Sequence, residues 1–143
     1  MRFVIDASVA AKWILPGEPW EEKANMLKKA IALGRVEAYA PTLLTYELAS
    51  VLLKAVKKSV LKALDGIEAL KAISFLGINL APVLWKEVAE VFETASSSGL
   101  TIYDAAYLWL SKKLDADLIT ADEKLRKKGE KITKVLLLEE VKI

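Results

Sequence analysis

The chain contains no cysteine and no histidine. Without thiols or imidazoles it has no disulfide framework, no Cys/His zinc centre, no thiol nucleophile, no Ser-His-Asp triad and no paired-histidine ribonuclease chemistry. Carboxylate, lysine, hydroxyl and phenol chemistry remain. Long apolar runs are missing too: the longest uncharged stretch, residues 72 to 85, is too short to cross a bilayer and contains Gly77, Asn79 and Pro82. The opening MRFVID meets an acid after three apolar residues and holds no secretory hydrophobic region, so the expectation is a soluble, cytoplasmic protein with no membrane partner. A charge excess is also lacking, since 21 Lys+Arg stand against 19 Asp+Glu for a net charge of +2. That balance excludes a strongly cationic nucleic-acid wrapper and leaves room for a local phosphate-binding face. At 143 residues and 54% hydrophobic content, the composition predicts one domain (1–143) with a substantial core.

Short apolar runs alternate with longer helical patterns. Strands are predicted at Phe3 to Ile5, Glu37 to Ala40, Ile78 to Leu80, Leu118 to Thr120 and Val135 to Leu138. Helices are predicted over Ser8 to Leu15, Trp20 to Leu33, from Pro41 to about Lys57, Leu61 to Leu76, Leu84 to Ala95 and from the cap Thr101 to Leu114, with a short basic helix after Asp122. Gly34 and Gly77 stop two of these helices, and the run Ser96-Ser97-Ser98-Gly99 is expected to break a third. Strands separated by helices imply an α/β fold of three layers, α/β/α, around a mainly parallel central sheet.

Four acids stand at element boundaries. Asp6 ends the first strand before a helix, and Asp122 does the same after LIT, so each is a ready N-cap. Asp104 lies three residues after Thr101, which makes a capping-box-like pair near the positive end of a helix dipole. Glu47 has Leu43, Leu44, Ser50 and Val51 as its helical neighbours, so its carboxylate borders the apolar stripe. Jointly these positions mean more than each does alone. Asp6 and Asp122 end parallel strands, while Glu47 and Asp104 occupy early helical turns on the same rim, where open α/β sheets place ligands. Carboxylates within about 5 Å of one another repel by roughly 3 kcal/mol per pair at an effective dielectric of 20. A divalent cation relieves that conflict, and oxygen-only donors select Mg²⁺ or Mn²⁺.

The segments FVIDASVAAKWILP, APTLLTYELASVL, TIYDAAYLWLSKKL and LITADEKL, in this order, resemble the PIN-domain ribonucleases, in particular the VapC-type toxins of toxin–antitoxin pairs. The resemblance spans nearly the whole chain. It implies that Asp6, Glu47, Asp104 and Asp122 are the catalytic acids, with Asp6, Asp104 and Asp122 as the chief metal ligands. Ser8 and Thr120 match small polar residues that steer those carboxylates. Ser50 departs from the pattern, since many relatives carry Asn there. The implied activity is Mg²⁺- or Mn²⁺-dependent hydrolysis of RNA, leaving 5′-phosphate and 3′-hydroxyl ends. The implied partners are a VapB-type antitoxin and a second copy of the chain.

Phosphates near an acidic rim need positive charge, and Lys124, Arg126, Lys127, Lys128, Lys131 and Lys134 follow Asp122 closely, with Lys12 after Asp6. The alternative for each is a solvated surface helix. Trp13, Trp20, Trp85 and Trp109 are read as core or interface residues in preference to base-stacking platforms. Ser59 and Lys62 fit S-x-x-K with no supporting motif, and are read as chance. Two rival functions share this fold: a degenerate PIN domain that binds RNA or protein without cutting, and a receiver-like phosphoacceptor, which the lone acid at the first strand disfavours.

Overall fold

The computed structural model describes all residues, Met1–Ile143, and builds a five-stranded, wholly parallel sheet in the order β3-β2-β1-β4-β5. In chain order the elements are β1 (Arg2–Ile5), α1 (Ala7–Ala11), α2 (Glu21–Ala32), β2 (Glu37–Pro41), α3 (Leu44–Lys57), α4 (Ala63–Ser74), β3 (Asn79–Ala81), α5 (Trp85–Ser98), α6 (Ile102–Leu114), β4 (Asp117–Thr120), α7 (Glu123–Gly129) and β5 (Val135–Leu137), followed by a 3-10 turn at Leu138–Glu140. The three-layer α/β/α arrangement is as the alternating pattern predicts. The central strands explain why the sheet is parallel: Phe3, Val4 and Ile5 of β1 and Leu118, Ile119 and Thr120 of β4 are all buried, with no polar face to offer solvent. Helical crossovers cover both sides. No helix is long and apolar enough to cross a membrane.

Three boundaries differ from the sequence reading by three residues or more, each for a local reason. The first helix starts at Ala7 and ends at Ala11, because residues 12 to 17 turn back over it toward Gly17, which takes a positive φ of 70°. Pro41 closes β2 and does not open the next helix: β1 pairs with β2 only as far as Tyr39, so the missing N–H interrupts no ladder there, and Thr42 N donates to Ala81 O at 3.1 Å. The serine run does not break α5. Ser97 and Ser98 donate their hydroxyls to the Thr94 carbonyl, and Gly99, at a φ of 68°, ends the helix.

Helix α6 is the most deeply buried. Its residues from Ala105 to Ser111 are all buried, and it packs on β1, β2 and β4. At its far end, α7 closes against it so tightly that Gly129 has no room for a side chain: a Cβ there would lie 2.7 Å from Leu108 Cδ2 and 3.1 Å from Val135 Cγ2. Glycine to alanine in a helix normally stabilises by about 1 kcal/mol. Here the sign is expected to reverse. Gly129→Ala forces the fully buried Leu108 against its neighbours and is expected to lower stability by about 1–3 kcal/mol, read as a reduced midpoint in urea denaturation.

Candidate active site at the carboxyl rim of the sheet

Strands β1 and β4 are neighbours, with Ile5 opposite Ile119, yet the chain leaves β1 toward β2 on the other side. Their carboxyl ends therefore form the point at which the winding reverses, the place where open α/β sheets form a crevice. Asp6 occupies it. The residue caps α1 through Val9 N, which donates to Oδ1 at 3.2 Å. Ser8 donates its hydroxyl to the same oxygen at 2.6 Å, and Thr120 donates to Oδ2 at 2.5 Å. Each hydroxyl has one hydrogen, and both are spent on Asp6, so the 3.3 Å approach of Ser8 to Thr120 carries no bond of its own. Their lone pairs are used as well: Ala121 N donates to Ser8 at 2.9 Å, and Asp122 N donates to Thr120 at 3.0 Å. One buried carboxylate thus ties together the two strand ends.

Asp122 caps α7, taking Lys124 N and Leu125 N on Oδ1 at 2.9 and 3.2 Å. Thr101 caps α6 by accepting Asp104 N at 3.1 Å, which sets the Asp104 carboxylate in the first turn of that helix. Glu47 lies in the first turn of α3, half-buried, and its Oε1 is buried without any hydrogen-bond partner.

The electrostatics link all four acids, with Asp104 as the hub. Burial pushes Asp6 from an ordinary 3.8 up to about 6, its three hydrogen bonds oppose that, and the charge on Asp104 adds to it. Burial also raises Glu47, helped by Asp104. Asp104 itself is raised first by burial and then by Asp122, while the hydroxyl of Thr101 and the charges of Lys124 and Lys128 pull the other way. Every anion here is in reach of another.

The acids nevertheless stand farther apart than the sequence reading expects. No group of three of them is drawn together closely enough to hold a metal ion as they lie. The reason is visible in the caps. Asp6 is turned inward to Val9, Ser8 and Thr120, and Asp122 is turned back onto α7. The donors still suit a hard divalent cation: all are oxygens, Asp6 keeps a lone pair beyond its three bonds, and Glu47 Oε1 has none of its own satisfied. Asp6, Asp104 and Asp122 would hold such an ion, with Glu47 beside them.

The remaining residues singled out in the sequence divide. Lys12 is buried and pairs with Glu18 at 3.7 Å. Arg126 is bound on two sides, to Glu130 and Glu140 at 2.9 Å each. Lys124 and Lys127 are exposed. Ser50 is exposed and makes no side-chain hydrogen bond, so it does not reach a neighbouring carboxylate. Trp13 and Trp109 are buried, donating to Ala24 O and Glu90, whereas Trp20 and Trp85 are exposed. One residue was overlooked. Tyr107 is buried one turn beyond Asp104, beside Glu47, and its signal was the i, i+3 spacing from that acid. Burial first, and then the Glu47 charge, push its phenol far above the usual range.

A family model described as the PIN domain matches residues 3–131. Over 129 residues the chain is 30% identical to ribonuclease VapC3 of Pyrobaculum aerophilum, covering 90% of this chain and 95% of that protein. A crystal structure of PAE2754 from the same organism is similar, with a TM-score of 0.72 at 22% identity, covering 97% of this chain and 93% of that one. VapBC2 from Rickettsia felis, bound to a DNA fragment from its promoter, gives a TM-score of 0.64 at 14% identity, covering 96% of this chain and 98% of that one.

The raised Asp6 makes stability depend on pH in a definite direction. Below its ordinary value, Asp6 is protonated in both folded and unfolded chains and nothing is lost. As pH rises toward about 6 the unfolded chain releases its proton first, so unfolding is favoured, by up to about 3 kcal/mol once the folded group has also ionised. Urea denaturation in EDTA from pH 4 to pH 8 is expected to show that decline, Asp6→Asn to flatten it, and Mn²⁺ at pH 7.5 to restore the lost stability.

Proposed function

The chain belongs to the PIN-domain family, and from that premise we propose that it is an endoribonuclease that hydrolyses RNA phosphodiester bonds with Mg²⁺ or Mn²⁺ and serves as the toxin of a VapBC-type pair. One observation carries the reading: acids from four separate elements are electrostatically joined through Asp104 at the point where the sheet's winding reverses. Carboxylates gathered and partly buried in this way cost stability, and such clusters mark functional sites that bind cations. A divalent cation bound there supplies Lewis-acid activation of water and stabilises the oxygen that departs.

The chain's own groups set the conditions for that chemistry. Ser8 and Thr120 fix both oxygens of Asp6, so the carboxylate meets its ligand in one orientation. Glu47, half-buried and raised toward neutrality, is suited to take a proton from the attacking water. Lys124 and Lys128, whose charges reach Asp104, and the exposed Lys127 beside them lie where the phosphates flanking the cut would pass. Lys12 and Arg126 are paired with acids of their own, Glu18 for the first and Glu130 and Glu140 for the second.

The antitoxin and a second copy of the chain remain parts of the same proposal. An apolar groove of about 320 Å³ between α2 and α4, lined by Trp13, Ile14, Ala32, Ala69, Ile73 and Leu76 with Lys28 and Lys29 at its lip, suits an amphipathic antitoxin segment bearing acids. Trp85 and Phe92 of α5, 91% and 67% exposed, are apolar surface of the kind a homodimer covers.

Purified protein incubated with mixed single-stranded RNAs is expected to cleave them in Mg²⁺ or Mn²⁺, to stop in EDTA, and to lose about 100-fold or more in rate on Asp104→Asn. Cleavage that survives EDTA or that substitution overturns the mechanism. Tight, metal-independent RNA binding without cleavage favours the binding module instead.

A further inference from the structure

Two buried polar atoms on neighbouring side chains of this protein go without a hydrogen bond. Glu47 Oε1 and the Tyr107 hydroxyl are both inaccessible to water, and neither has a hydrogen-bond partner. Tyr107 is 1% exposed, in a run of α6 where every residue from Ala105 to Leu110 is buried and otherwise apolar. A phenylalanine would fill that space as well, with no polar atom to satisfy. The hydroxyl therefore brings nothing to the packing that a ring alone lacks, and burying it unpaired is unfavourable.

Their chemistry is complementary. An ionised glutamate only accepts, and the phenolic hydroxyl has one hydrogen to donate. The two lie close enough for the hydroxyl to favour the charged form of Glu47, though outside good hydrogen-bond geometry. The last torsion of a glutamate is broad, so a small turn of the carboxylate completes the bond. We propose that Tyr107 is a positioning residue, which fixes the Glu47 carboxylate by donating to its buried oxygen and so presents the other oxygen to the cation site formed by Asp6, Asp104 and Asp122. The placement on α6 supports this role: Tyr107 stands one helical turn from Asp104, so the helix that carries the hub acid also carries the group that holds Glu47. The inference rests on the nuclease reading for its catalytic consequence, but the cation site tests it separately.

The test compares wild type, Tyr107→Phe, Glu47→Gln and the double substitution. Thermal denaturation without metal is expected to place Tyr107→Phe at or above wild type, because the bond is completed only as Glu47 turns to a bound cation and the metal-free hydroxyl has none to lose. Calorimetric titration with Mn²⁺ alone, in the absence of RNA, is expected to show a three- to tenfold weaker affinity for Tyr107→Phe. Adding it to Glu47→Gln should weaken binding no further. Single-turnover cleavage should fall ten- to a hundredfold in kcat with the KM for RNA within about twofold. Unchanged Mn²⁺ affinity in Tyr107→Phe, a clear loss of thermal stability, or effects of the two substitutions that multiply independently would each overturn the role. If wild-type protein cuts no RNA, the nuclease reading fails while the Mn²⁺ titrations still decide the positioning claim.

Discussion

The structure depends on a single buried anion placed where two parallel strands end. Asp6 has only three groups to hold it, Val9 N, Ser8 and Thr120, and each of them comes from a different feature of the fold: the first turn of α1, the same helix's side chain, and the last residue of β4. The two hydroxyls pass the constraint on, since their acceptor lone pairs fix Ala121 N and Asp122 N. Position, charge and backbone path at the rim are therefore one problem with one solution. Losing Asp6 would remove an anion and also loosen the turn that delivers Asp122.

That arrangement sets a conflict between stability and chemistry. Capping satisfies backbone N–H groups and suits the positive ends of α1, α6 and α7, which favours the acids locally. Burial and mutual repulsion oppose that. Burial outweighs three hydrogen bonds at Asp6, and at Asp104 it joins with the charge of Asp122 to outweigh Thr101, Lys124 and Lys128. The pocket is left with more negative charge than its donors neutralise. Protonation relieves it in acid.

Much of this was legible from residue order because caps and strand ends are local. Asp6, Thr101 and Asp122 announce helix starts through their own chemistry, and the buried strands through uninterrupted apolar runs, so the parallel sheet and the acidic rim follow from neighbours in sequence. The misplacements share a different origin. Pro41 looks like a helix opener until the extent of β1 pairing is known, and Ser96 to Ser98 look like a break until their hydroxyls find Thr94. Lys12 looks free until Glu18 folds back over it. Tyr107 was hidden among apolar neighbours because its meaning lies in Glu47, sixty residues earlier on another helix.

The basic helix α7 shows how residues of the same charge divide the work. Arg126 presents a rigid, planar guanidinium, and the structure spends it on two carboxylates at once, Glu130 within the helix and Glu140 in the closing 3-10 turn. That clamp fixes the helix whose first turn carries Asp122, so its charge acts on the site through geometry alone. The lysines are compact charges on flexible stems, and two of them make no ion pair with an acid: Lys124 and Lys128 reach Asp104 as a field, with Lys128 also donating to Gly99 O at 3.1 Å across the α5–α6 corner. A guanidinium used for anchoring beside ammonium groups left unpaired is the division that their hydration and stiffness favour. Arg126→Lys keeps the net charge and gives up the planar fork that grips both carboxylates.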